Sequence, residues 1–288
     1  MPGLVLAAAL AFTPADAALA HRTACTLVSQ HTPRDAGTMA GLRAAHWLLD
    51  RASMTGADVR RDIFTADTPK GPRRFVNLYS EFSADPFGGW IVIVSHFDTK
   101  PGSGCPGAND GASTSGLLVA LADVLVNRKE PRGNVMLVWT DAEECLESYS
   151  ANDGLQGAKR AVAYIKSKGR DVTAVICLDM LGDSDLAITI PSNGSPALAR
   201  IAEYAARSIG EEGLVSQSDV FVKDDHVPFL EAGMKAVDLI DFSYGPGNSW
   251  WHTPQDTRER ISVQSLLKAG RLVCEMLNIL TTARENGK

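Results

Sequence analysis

Four apolar runs of strand length end in acids or histidine, and that arrangement constrains the fold more than any other feature of the chain. "WIVIVSHFD" (90 to 98) ends in His96 and Asp98, and "NVMLVWTDAEE" (134 to 144) in Glu143 and Glu144. "DVTAVICLDMLGD" (171 to 183) closes around Asp179, and "KAVDLID" (235 to 241) carries Asp238 and Asp241. Continuous apolar character suits strands buried on both faces, as in a parallel sheet covered by helices. In such a sheet the C-terminal strand ends form the binding crevice.

Helical patterns alternate with these runs. "TMAGLRAAHWLLDRAS", "SGLLVALADVLVNRK" (115 to 129), "QGAKRAVAYIKSKG", "SPALARIAEYAARSIG" with Ser195 as cap, a short "VPFLEAG" and a long closing "SVQSLLKAGRLVCEMLNILTTAR" all read as helices. "FVNLYSEF" (75 to 82) reads as a strand neighbouring "WIVIVSHFD", with "SADPFGG" as the turn between them, and "LAITIP" as a further strand. The expected architecture is a three-layer α/β/α sandwich around a central mixed, mostly parallel sheet, and 288 residues suit one such domain.

A net charge of -6, with no run of Lys or Arg longer than two, excludes the basic stripe that nucleic acid requires. No apolar run reaches the roughly 20 residues of a membrane span. "GLVLAAALAF" (3 to 12), followed by "TPADAALA", reads as a secretory signal cleaved after Ala17 or Ala20. Residues 1–20 are then a leader, 21–288 the domain, and the destination periplasmic or extracellular. The positive start of such a signal is missing, and an ordinary N-terminal helix is the alternative. Cys25, Cys105, Cys145, Cys177 and Cys274 are scattered and odd in number, which fits core thiols with at most one bridge.

Two further motifs join the strand ends: "GANDGASTSG", with Asp110 among small residues, and "WWHTPQD", with His252. Singly, Asp110 reads as a helix cap, His96 as a core histidine and His252 as a loop residue. Together, buried carboxylates at neighbouring strand ends would repel one another unless a cation sits among them. No Lys or Arg lies inside these motifs, so a divalent metal is the expected solution, and mixed imidazole and carboxylate donors suit zinc. GxSxG, GxxxxGK[ST], HExxH and a strand-linked GxGxxG are all absent.

In order along the chain, "TPKGPRRFVNLYSEF", "SHFDTKPGSG", "GANDGASTSG", "TDAEE", "DGLQGAKR", "LDMLGD", "DDHVPF" and "WWHTPQDT" resemble the zinc exopeptidase superfamily, which holds two-metal aminopeptidases and animal-type glutaminyl cyclases. The resemblance implies that Asp110, Glu144 and His252 bind zinc and that Glu143 transfers protons. In the aminopeptidase branch His96 and Asp179 would hold a second zinc, bridged by Asp110. "HFDTK", "SYSANDGLQGAKR", the Asp224 and Asp225 of "KDDHVPF", and Trp251 before the histidine look like the cyclase branch.

The cyclase likeness implies conversion of the N-terminal Gln of peptides or proteins to pyroglutamate with release of ammonia, one zinc being expected. Asp179 would orient the amine, Asp224 would share a proton with Glu143, and Trp251 and Tyr149 would wall the substrate. Asp98 and Asp238 would support the ligands. Tyr149 replaces a common Trp, and Asp238 stands where animal enzymes have histidine. A two-zinc aminopeptidase is the alternative; a non-catalytic binding domain would be marked by lost ligands, and none is lost.

Overall fold

The computed structural model describes residues 9–85, 88–127 and 133–285. The chain opens with helices α1 (Pro14–Gln30) and α2 (Met39–Ser53), then strands β1 (Val59–Ala66), β2 (Arg73–Phe82) and β3 (Trp90–His96). Helix α3 (Thr114–Val126), β4 (Asn134–Thr140), α4 (Gln156–Ser167), β5 (Val172–Asp179), β6 (Ile188–Ile190) and α5 (Pro196–Ser208) follow. The last elements are β7 (Val215–Gln217), α6 (His226–Glu231), β8 (Ala236–Ile240) and α7 (Val263–Glu285).

The strands form one eight-stranded sheet in the order β1-β2-β4-β3-β5-β8-β6-β7. Pairs β4/β3, β3/β5, β5/β8 and β6/β7 are parallel, and the other three are antiparallel. Alternation along the central strands builds two cores. Ile91, Ile93, Leu137, Trp139, Ile176 and Leu239 face the larger one, shared with α1, α2, α3, α5 and α7. Val92, Val94, Met136, Val138, Val175 and Cys177 face the smaller one, under α4 and α6. The expected three-layer mixed sandwich is therefore the fold.

Three expectations need correction. Strands β2 and β3 are not neighbours, because β4 enters between them, antiparallel to one and parallel to the other. Strand β1 was not anticipated; it forms the sheet edge, and its charged, half-exposed sequence VRRDIFTA lacks the apolar run of a central strand. Ser195 occupies the N-cap of α5 without making a side-chain capping bond.

The boundary expected at residue 20 falls inside α1. Residues 1–8, where the apolar stretch begins, lie outside the described residues. "TPAD" is a helix start: Pro14 occupies the first turn, Thr13 Oγ1 accepts from the Asp16 amide, and Asp16 Oδ2 accepts the Thr13 amide at 2.7 Å. Ala17 and Ala20, the supposed cleavage points, are fully buried. The helix lies so close to α3 that a methyl on Gly116 would come within 2.4 Å of the Ala20 carbonyl oxygen.

Candidate metal centre

Because β4, β3, β5 and β8 are parallel neighbours, the residues that follow them open on one side of the sheet. His96 ends β3, Glu143 and Glu144 follow β4, and Asp179 ends β5. Asp110 arrives on the segment before α3, where the backbone leaves helical geometry at Asp110 and Gly111. Gly111 has φ of 87°, and a methyl there would meet the Asp98 carbonyl oxygen and His96 Cε1 at 3.0 Å. Only glycine satisfies both the left-handed turn and that approach. Asp110 is therefore held by a kink rather than as a helix cap.

Two donor clusters result, sharing Asp110. His252 Nε2 lies 3.2 Å from Asp110 Oδ2 and 2.7 Å from Glu144 Oε1. His96 Nε2 lies 3.2 Å from Asp110 Oδ1 and 3.1 Å from Asp179 Oδ1. Within each cluster the donor atoms are all within 4.8 Å of one another. Asp110 Oδ2 and both Glu144 carboxylate oxygens are buried and make no well-aligned hydrogen bond, although His252 and Lys100 approach them. Convergent, buried lone pairs on imidazole and carboxylate are what a zinc ion requires, so the donor set fits that metal.

The proton balance carries the same message. Burial raises Glu144, with Asp110 adding to the effect, and raises Asp179 to about 7. Burial opposes the charge of His252, yet Asp110 and Glu144 push it to about 9. Burial likewise opposes the charge of His96, and Asp110, Asp179 and Asp98 drive it well above the usual range. The two imidazoles hold Asp110 below its ordinary value against its desolvation. Anionic charge at this centre thus persists only where a cation stands beside it.

Supporting contacts come from residues far apart in the chain. Asp98 accepts the Glu143 and Glu144 amides, each at 3.2 Å, which orients both carboxylates. Asp256 accepts the Asn109 amide at 2.7 Å, the Asp110 amide at 3.2 Å and the Tyr244 hydroxyl at 2.7 Å. Arg34, fully buried, donates to the carbonyls of Phe97, Pro106, Gly107 and Asp110. Lys100 Nζ sits 3.3 Å from Glu144 Oε2, so the site does hold a fixed cation, contrary to the sequence reading. Asp225 accepts the Thr140 hydroxyl at the end of β4. Asp256, Arg34 and Asp225 were missed. Of these only Asp225 and Asp256, inside quoted motifs, offered a signal; nothing local marks Arg34, which acts on main-chain atoms.

Glu143 stands beside this centre. Burial and the adjacent Glu144 raise its carboxyl well above the ordinary range. The Tyr149 hydroxyl donates to Glu143 Oε1 at 2.9 Å, so this tyrosine grips the carboxylate as well as lining the cavity. Its loop is tied down by Asp153, which accepts the amides of Leu146, Glu147 and Ser148. Asp224 lines the same cavity, but its hydrogen bonds come from the Cys177 thiol and the Asp225 amide; none joins it to Glu143, as had been expected. Asp238 lies fully buried behind Asp224 in β8.

Asp110, Glu143, Glu144, Tyr149, Asp179, Asp224 and His252 line a cavity of about 500 Å³. Trp251 stacks on His252 at 3.9 Å between ring centroids and meets Phe242 at 5.0 Å, giving the entrance an apolar wall. His252 itself has φ of 56°, and Ala142 and Met180, beside Glu143 and Asp179, have φ of 57° and 56°. Left-handed backbone at non-glycine residues is costly and collects where function over-determines geometry.

The sequence pattern of Peptidase family M28 matches residues 77–277. The chain is 26% identical over 253 residues to a glutaminyl-peptide cyclotransferase of Drosophila melanogaster, covering 78% of this chain and 70% of that protein. It is 31% identical over 196 residues to aminopeptidase YwaD of Bacillus subtilis, covering 64% of this chain but only 39% of that protein. Among solved structures, a glutaminyl cyclase from an Acidobacteriales bacterium superposes with a TM-score of 0.89 at 28% identity, covering 98% of this chain and 99% of that one.

Proposed function

The chain belongs to peptidase family M28, and on that premise we propose that it is a zinc-dependent glutaminyl-peptide cyclotransferase acting on the N-terminal Gln of peptides or proteins. The observation that carries the proposal is the convergence of Asp110, Glu144 and His252 on one point beside Glu143, at the floor of an apolar-walled cavity. The similarity to the cyclase, over 78% of this chain and 70% of that protein, is broader than the match to the aminopeptidase, over 64% and 39%, and supports the choice. A zinc ion held by these three residues supplies Lewis acidity toward the side-chain amide carbonyl, a contribution worth several kcal/mol in metal catalysis.

The remaining work falls to side chains. Glu143, with Tyr149 fixing one oxygen, takes a proton from the attacking α-amine and returns it to the departing ammonia; transfer of this kind contributes about 10² to 10⁴-fold. Asp179 and Asp224 line the same cavity and orient the amine. Trp251 and Phe242 exclude bulk water, which would otherwise hydrolyse the amide rather than let the amine close the ring. Incubation with a Gln-peptide, with and without chelator, tests the reading: chelator-sensitive ammonia release is expected, and none from the zinc-loaded protein refutes it.

One observation favours a second reading. His96, Asp110 and Asp179 form a complete second donor cluster, as a two-metal aminopeptidase requires. Products separate the two: a cyclase releases ammonia from Gln-peptides, and a peptidase releases free amino acid from Leu-anilides.

A further inference from the structure

Behind the cavity floor, on the sheet face covered by α4 and α6, lies a group of donors that neither cluster uses. Cys177 of β5 and Asp238 of β8 are partners in register, so their side chains emerge together on that face. Asp224, just before α6, comes down onto them, with Oδ1 3.3 Å from Cys177 Sγ. One donor atom from each of the three lies within 4.8 Å of the others. Cys177, Asp224 and Asp238 are 1%, 3% and 0% exposed, with Asp224 alone reaching the cavity.

Neither carboxylate oxygen of Asp238 has a hydrogen bond. Among the described residues no Lys or Arg pairs with Asp224 or Asp238; the one ion-pair contact is His226 Nδ1, 3.7 Å from Asp238 Oδ2. The tautomer of that ring follows from its neighbours. Asn193 Nδ2 donates to the Val222 carbonyl and lies 2.7 Å from His226 Nε2, while Asn193 Oδ1 accepts the Val222 amide. Both ends of the amide are thereby assigned, Nε2 is an acceptor, and the ring proton sits on Nδ1 facing Asp238. His226 therefore faces Asp238 with an N–H at 3.7 Å, beyond hydrogen-bond distance.

Two buried carboxylates and a thiol that no Lys or Arg among the described residues neutralises, one of the carboxylates lacking any well-aligned hydrogen bond, are a costly grouping unless a cation joins them. A sulfur donor disfavours magnesium and calcium and selects a zinc-class ion. We propose that Cys177, Asp224 and Asp238 form a third cation site, for a divalent transition ion of that class, with the His226 ring beside Asp238. Such an ion would tether Asp224, and so one wall of the cavity, to the middle of the sheet. The inference is independent of which reaction the cavity performs.

Sulfur ligation is the distinguishing mark, because neither of the other two clusters contains a cysteine. X-ray absorption on the zinc-loaded wild-type protein should show a sulfur scatterer at about 2.3 Å. Cobalt-substituted protein should show a sulfur-to-cobalt charge-transfer band in the near ultraviolet. That band should survive Asp110→Ala with His252→Ala and Cys145→Ser, and should vanish in Cys177→Ser, which binds one ion fewer. Nitrogen and oxygen scatterers alone, or a band that outlives Cys177→Ser, would overturn the assignment. The absorption measurement decides even if Cys177→Ser does not fold, and a failure of ammonia release leaves it untouched.

Discussion

The Tyr149 hydroxyl donates to Oε1 of Glu143 at 2.9 Å, tying a loop residue to the carboxylate proposed to transfer protons. A hydrogen bond to a charged group is worth about 1.5–3 kcal/mol. Tyr149→Phe is therefore expected to lower kcat by roughly 10- to 100-fold. Zinc content should stay unchanged, because Tyr149 is outside both donor clusters. A kcat equal to wild type would show that the loop only walls the cavity.

Asp256 positions Asp110 through its main chain and never enters the donor set. Loss of such a support typically weakens metal affinity by about 10- to 100-fold. Asp256→Ala should show that loss in a zinc competition titration, and Tyr244→Phe, which leaves the carboxylate in place, a smaller one.

His31 makes stability sensitive to acid. Burial, then Arg34 and Arg43, lowers its pKa below the usual value. Below about pH 6.5 the unfolded chain takes up a proton that the folded ring resists. Its contribution is thus fully present above that pH and declines as pH falls through it. His31→Gln should flatten this part of the Tm-versus-pH curve; a curve parallel to wild type between pH 7 and pH 5 would contradict the assignment.

A chain starting at His21 should fold poorly. Phe12, Ala17 and Ala20 are in the core, and the Phe12 ring packs on Gly270. Burying one large apolar side chain is worth about 1.5–3 kcal/mol. Such a truncation is expected to show a Tm lower by several degrees or to be insoluble. Equal stability of the two forms, by thermal melting, would contradict this expectation and support the boundary at residue 20.

What could be read directly was what local pattern determines. Strands β3, β4, β5 and β8 are apolar because both faces are covered, and their terminal acids sit together because parallel strands end on one side. Strand order is a long-range property, and the turn chemistry of "SADPFGG" says nothing about β4 coming between β2 and β3. An apolar, alanine-rich start reads as a leader from its composition, and the same composition suits the packed helix that residues from Pro14 onward form. The Thr13, Pro14 and Asp16 spacing was the available clue to a helix there. Lys100 stood next to the first motif and was passed over; Arg34 acts only on carbonyls, for which no side-chain pattern exists.

The left-handed backbone at Ala142, Met180 and His252 carries a consequence for how this protein can change. Each such residue costs on the order of 1–3 kcal/mol. Glycine at Ala142 would relax the chain for the loss of a single methyl, whereas at Met180 it would also empty the place of a fully buried side chain, which costs about 2–5 kcal/mol. At Ala142 heat tolerance and turnover therefore pull in opposite directions, because the same relaxation would free the carboxylate that the kink aims.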